Sequence, residues 1–190
     1  IVTASPKLAE KFPAHKTHVL PHGVDVAHFA KPVDCPADLP KTGPIAGFYG
    51  NLADWIDVEL LAETARRLPL WQFVLIGPVN TDIGALEQIE NVHLLGERPH
   101  AALPGYLQHW RVSMLPFKDN AQIRAANPLK LREYLAAGKP IVTTDYPALN
   151  GYRDLVSVAS GGEAFANAIR QAAINVPVWA SQGSFFEQIN

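Results

Sequence analysis

From residue 45 onward the sequence alternates short, mainly apolar runs with longer amphipathic stretches, and this alternation is what most restricts the folds open to it. Short continuous apolar runs are strands buried on both faces, and such strands belong to parallel sheets covered by helices. Ile45–Tyr49, Phe73–Ile76, Val92–Leu95, Val112–Leu115, Ile141–Thr144 and Leu155–Val158 read as strands. Val58–Leu68, Ala101–Gln108, Pro128–Ala137 and Glu163–Asn175 read as helices between and after them, with another at Trp179–Gln188. The predicted fold class is α/β, a Rossmann-like parallel sheet with helices on both faces. Ahead of it, Ile1–Ala4 reads as a strand, Pro6–Phe12 as a short helix and His18–Leu20 as a strand. The Pro-, Asp- and Lys-rich stretch His28–Pro44 reads as a linker. Two units are expected: residues 1–43, the tail of a preceding domain with its linker, and residues 44–190, the Rossmann-like domain with a return helix at its end.

Composition removes several classes of function. Sixteen Lys and Arg against 18 Asp and Glu give a net charge of -2, and no basic stripe runs along the chain, so no nucleic-acid partner is expected. With 48% hydrophobic and 18% charged residues the chain reads as soluble and globular, and no apolar run approaches the roughly 20 residues of a membrane span. The single cysteine, Cys35, permits no internal disulfide, fits a reducing compartment and reads as a loop thiol. The only methionine is Met114, and the chain is expected to be a piece of a longer protein. His15, His18, His22 and His28 crowd the first 28 residues, but their spacing fits no helical metal pair, and no metal is expected. The four tryptophans, Trp55, Trp71, Trp110 and Trp179, read as core or interface anchors.

Ligands of open α/β sheets bind at the carboxyl ends of the strands, and three stretches at such ends are distinctive. In Phe48-Tyr49-Gly50-Asn51-Leu52, Gly50 allows close approach of the backbone, and free amides there could cradle phosphate; an ordinary strand-to-helix turn would also need that glycine. In the stretch from Asn127 to Val142, Asn127 is expected to cap a helix that Pro128 begins and that Gly138 and Pro140 end. Asn127, Lys130 and Glu133 are three apart and share a face; the helix start and Lys130 suit a diphosphate, and Glu133 suits a pair of ribose hydroxyls. The plainer alternative is an exposed helix carrying a Lys–Glu pair. In Gly96-Glu97-Arg98-Pro99-His100, Arg98 could reach a phosphate or stack on a base and His100 could bond a donor sugar, against a capping loop with a solvated arginine.

Together these stretches resemble the GT-B glycosyltransferases, in particular the glycosyltransferase family 4 and group 1 type. Val19-Leu20-Pro21-His22-Gly23-Val24-Asp25 followed by Phe29 is similar to the family's inter-domain "viPNGVD…F". Ile45–Leu52 resembles "fvGrl", Phe73–Gly77 "lvivG", Val92–Gly96 "V.flG", and Val112–Pro116 the strand that ends near "PS" or "PF". Pro128–Val142 is similar to "KlfEYlAaGkPVV", the most specific of the matches. The resemblance implies the C-terminal, donor-binding half of a two-domain enzyme, which moves a sugar from a nucleoside diphosphate to a saccharide or lipid-linked acceptor held by the other half. It implies Glu133 on the ribose, Lys130 and the Gly50-Asn51 loop at the diphosphate, retention of anomeric configuration, no metal and no cofactor. The setting it implies is polysaccharide or glycoconjugate assembly in the cytoplasm, with peripheral association of the full-length protein at the inner membrane face.

The sequence departs from the family at instructive places. The first glutamate of the family's E-x7-E pair falls at Ala125, and the arginine and lysine of its first glycine loop fall at Asn51 and Asp57. Donor-sugar contacts are then expected from Asn120, Gln122 or backbone amides, and phosphate contacts from Lys130 with Arg98 or Arg124. A UDP-sugar epimerase of the same fold and a non-catalytic nucleotide-binding module are the rival functions.

Overall fold

A computed structural model describes residues 1–175 of the chain. Its centre is a six-stranded parallel sheet of β3 (Ile45–Tyr49), β4 (Gln72–Ile76), β5 (Val92–Gly96), β6 (Val112–Leu115), β7 (Ile141–Thr143) and β8 (Ser157–Val158), in the order β5-β4-β3-β6-β7-β8. Every residue of β3, β6 and β7 is buried, as strands covered on both faces must be. The edge strand β5 is half-exposed.

Crossover connections between the parallel strands place helices on both faces. On one face, α3 (Val58–Arg67) packs against α4 (Gly84–Glu87) and α8 (Gly162–Ile174). Asp57 caps α3 by accepting from the Leu60 N–H at 3.0 Å, and Leu60, Leu61, Thr64 and Ala65 form its buried side. On the other face lie α5 (Leu103–His109) and α7 (Leu129–Ala136), joined by α2 (Val26–Ala30) from the first part of the chain. The indole of Trp110 lies flat over Gly47 in the middle of β3, so closely that a methyl group there would fall inside the ring.

The predicted strands are all present, within two residues at either end. The stretch His28–Pro44 is not wholly a linker. Its first residues belong to α2, capped by Asp25, with Phe29 buried at 1% exposure against the domain core. The rest is tied down, because the Val33 N–H donates to Gln108 and Asp38 bonds Arg98. Three short helices, α2, α4 and α6 (Ala121–Ala125), were not expected. The helix expected at Trp179–Gln188 lies outside the described residues.

Ahead of these, β1 (Val2–Thr3) and β2 (His18–Val19) form a separate two-stranded parallel sheet, with α1 (Pro6–Ala9) between them. α1 packs against α6, and the Ser5 hydroxyl donates to the Ala125 carbonyl at 2.5 Å. Among the described residues no helix is long and apolar enough to cross a membrane.

Candidate functional site

The direction of strand addition reverses between β3 and β6, and an open parallel sheet forms its ligand crevice beyond the carboxyl ends of such a pair. Two cavities open there. One, of about 360 Å³, is walled by the ends of β3 and β4, the loop after β5 and α7, with Tyr49, Gly50, Asn51, Arg98, Lys130 and Glu133 in its lining. The other, of about 420 Å³, lies toward β6 and α6, with Phe48, Trp55, Phe117, Gln122 and Ala125. Asn51, Leu129 and Lys130 line both.

Lys130 stands on that shared wall, in the first turn of α7, where unpaired helix amides add positive potential. Its stem lies across Gly50, where a β-carbon would collide with the lysine Cε, and the Gly50 φ of +145° is strained for any other residue. The glycine is thus explained by room for the lysine. The expected amide cradle is largely spent, since the Gly50 N–H donates to Ile76 and the Leu52 N–H to Pro78. Burial pushes the Lys130 pKa down, and the nearby Glu133 carboxylate partly opposes it. Asn51 is oriented by the Asn80 amide, which donates to its Oδ1 at 2.7 Å.

Glu133 is only 4% exposed, so the alternative of an exposed helix carrying a Lys–Glu pair does not hold. Leu131, Tyr134 and Leu135 bury one side of α7, and Glu133 is drawn in with them by a hydrogen bond. The Tyr49 hydroxyl donates to its Oε2 at 2.8 Å, and Tyr134 in turn accepts from the Tyr49 N–H at 3.1 Å. Burial raises the pKa of both phenols far above the ordinary range, so Tyr49 stays a donor. Glu133 Oε1 faces His100, whose Nε2 lies 3.7 Å away. The His100 ring stacks on His28 of α2, with centroids 4.8 Å apart and planes 10° from parallel. The cavity therefore offers a fixed carboxylate, the His100 imidazole that His28 backs, and the Lys130 cation on the wall shared with its neighbour.

Five of the six expected site residues, Gly50, Asn51, Arg98, Lys130 and Glu133, line this one cavity. Arg98 is held rather than free. It donates to Asp38 at 2.6 Å, to the Tyr106 hydroxyl at 2.8 Å and to the Glu97 carbonyl at 2.8 Å. The bond to Asp38 raises the guanidinium pKa and lowers that of the carboxyl.

Asn127 is the exception. It does not cap α7, where Pro128 holds the cap position, and it lines the second cavity rather than the one with Glu133. Its Nδ2 donates to the Ala4 carbonyl at 2.7 Å and its Oδ1 accepts from Arg132, so it rivets the first segment to the second. Of the other candidates, Asn120 caps α6 by accepting from the Ile123 N–H, Gln122 lines the second cavity, and Arg124 pairs with Asp119 away from Lys130. Tyr49, His28, Trp55 and Asp38 were not singled out for the site. Only the strand end at Tyr49 could have marked one of them.

The family model described as "Glycosyl transferases group 1" matches residues 43–175. The putative teichuronic acid biosynthesis glycosyltransferase TuaH of Bacillus subtilis (strain 168) is 31% identical over 140 residues, covering 70% of this chain and 35% of TuaH. Sucrose-phosphate synthase from Thermosynechococcus elongatus superposes with a TM-score of 0.75 at 19% identity, over 99% of this chain and 53% of that one. Anabaena HepE in complex with UDP-glucose gives 0.72 at 16% identity, over 93% and 54% of the two chains. The chain thus spans about a third of its curated relative and about half of each solved structure, whose likeness shows the fold. By the match across the whole six-stranded domain, this chain belongs to the group 1 glycosyl transferases.

Proposed function

We propose that the chain is the donor-binding half of a retaining glycosyltransferase that moves a sugar from a nucleoside diphosphate to a saccharide or lipid-linked acceptor in polysaccharide or glycoconjugate assembly. The observation that carries this is the shared wall. A cation and an amide, Lys130 and Asn51, stand between a cavity with a fixed carboxylate and a second one lined by Phe48, Trp55, Phe117 and Gln122. That order suits a nucleoside, a diphosphate and a sugar laid end to end. The ribose hydroxyls would donate to Glu133 Oε1, which the Tyr49 bond leaves directed into the cavity. The departing diphosphate would gather charge against Lys130 and the start of α7, an electrostatic stabilisation that needs no metal. Lys130 and Asn51 would hold the diphosphate, with Gly50 giving the lysine stem its room. Arg98, pinned by Asp38, would shape the nucleoside end without reaching the phosphates.

The HepE structures are described as complexes with UDP and with UDP-glucose, which favours a nucleoside diphosphate as the ligand class to try first. Calorimetric titration of the chain with UDP, GDP, ADP and CMP tests the proposal. One diphosphate is expected to bind selectively, and Glu133→Gln, which keeps the acceptor for Tyr49, should weaken it about tenfold or more, the size of a hydrogen bond to a charged group. Equal binding by wild type and Glu133→Gln would remove Glu133 from the site.

A further inference from the structure

A third cavity, of about 360 Å³, opens on the opposite side of Asn127 from the donor crevice, between α1, α6 and the turns after β7. Arg132 of α7 lies in its lining and is only 8% exposed. Its Nη1 donates to Asn127 Oδ1 at 2.8 Å, and its guanidinium lies over the Tyr152 ring at 5.4 Å. Both partners are neutral. Among the described residues no carboxylate comes within ion-pair distance of it, although a buried cation ordinarily requires one. Two more cations, Lys7 and Arg124, stand in the same lining. Their own carboxylates, Glu10 and Asp119, are well exposed, and such surface pairs exchange partners at little cost. Glu10 is the one acid in the lining, against three cations.

We propose that this cavity is a second anion site, built for a phosphate monoester. A fixed, buried guanidinium supplies the directional fork that phosphate oxygens match, and two mobile rim cations suit its second charge better than they suit a carboxylate. The cavity shares Ser5, Ala126 and Asn127 with the larger donor-crevice cavity, so a ligand anchored by its phosphate would have its other end close to the donor. The phosphate has two conceivable sources: the headgroup of a lipid-linked acceptor, or free phosphate and small phosphorylated solutes. The site itself stands whether or not the donor proposal holds.

The test is NMR titration of the chain saturated with UDP, following the Arg132 side-chain Nε–H resonance, with inorganic phosphate in one arm and farnesyl phosphate in the other. Both arms are expected to shift that resonance, and Arg132→Gln should weaken binding about tenfold. Because Arg132 is buried, the exposed rim variants Lys7→Ala and Arg124→Ala serve as well, each expected to weaken it about threefold while leaving UDP affinity unchanged. Tighter binding of the prenyl ester would assign the site to a lipid headgroup, and equal binding would assign it to free phosphate. No shift in either arm, or binding that ignores all three substitutions, would overturn the proposal. A failed donor reading would show separately, as absence of UDP binding in the preceding titration.

Discussion

Lys130 is the residue where stability and the proposed function pull apart. Burial lowers its pKa in the folded chain, so between that value and the unfolded one the unfolded chain binds more protons and folding gains as the pH rises. Its charged form is therefore an expense to the empty protein at neutral pH. Lys130→Met, which keeps the stem over Gly50 without the charge, is expected to stabilise the ligand-free chain by about 0.5–2 kcal/mol in urea unfolding and to weaken diphosphate binding. The pH dependence of binding follows the same logic with its sign reversed. A diphosphate favours the protonated amine, so wild-type affinity should be full below the lowered pKa and fall as the pH passes up through it. In Lys130→Met that fall should vanish; an unchanged alkaline limb would mean that another group is titrating.

Among the elements, β3 has a position with no room for a side chain. Trp110 is 2% exposed and its ring occupies the space above Gly47 that any side chain would need. Gly47→Ala should therefore cost about 3 kcal/mol by overpacking, read from the urea midpoint. Gly23→Ala, with nothing within 4 Å of the added methyl, should stay within about 0.5 kcal/mol of wild type. The central strands were legible in the sequence because burial on both faces writes itself as an unbroken apolar run, as in Ile45–Tyr49 and Phe73–Ile76. The helices α4 and α6 were not, since four or five residues complete barely one turn and show no period. The cap of α7 failed for a different reason. Asn127 has the right chemistry for a cap, but its Oδ1 accepts from Arg132 instead of a helix N–H, while its amide donates to the carbonyl of Ala4, 123 residues away. Glu133 could be placed on a helix face from its spacing, but its burial depends on Tyr49, 84 residues distant, and no local pattern encodes that bond.

At the scale of the whole molecule, the two-stranded sheet at the start is the informative part. Ile1, Val2, Val19 and Leu20 leave an apolar surface largely open to solvent, which the six-stranded domain does not cover. On the proposed reading, an acceptor-binding half of the enzyme would pack against that surface. The chain by itself is then expected to bind nucleotide and to transfer no sugar. Radiolabelled donor incubated with the isolated chain and candidate acceptors checks this, and measurable transfer would show that the acceptor site is already present.

The wall common to the two donor-crevice cavities has an evolutionary corollary. Asn51, Leu129 and Lys130 are the only side chains that the two chambers have in common among the described residues. On the proposed reading, the chamber of Phe48, Trp55, Gln122 and Ala125 can therefore be redrawn to admit another sugar while Tyr49 and Glu133 keep the nucleotide, so that cargo and handle vary separately, and Ala125 lies on the cargo side.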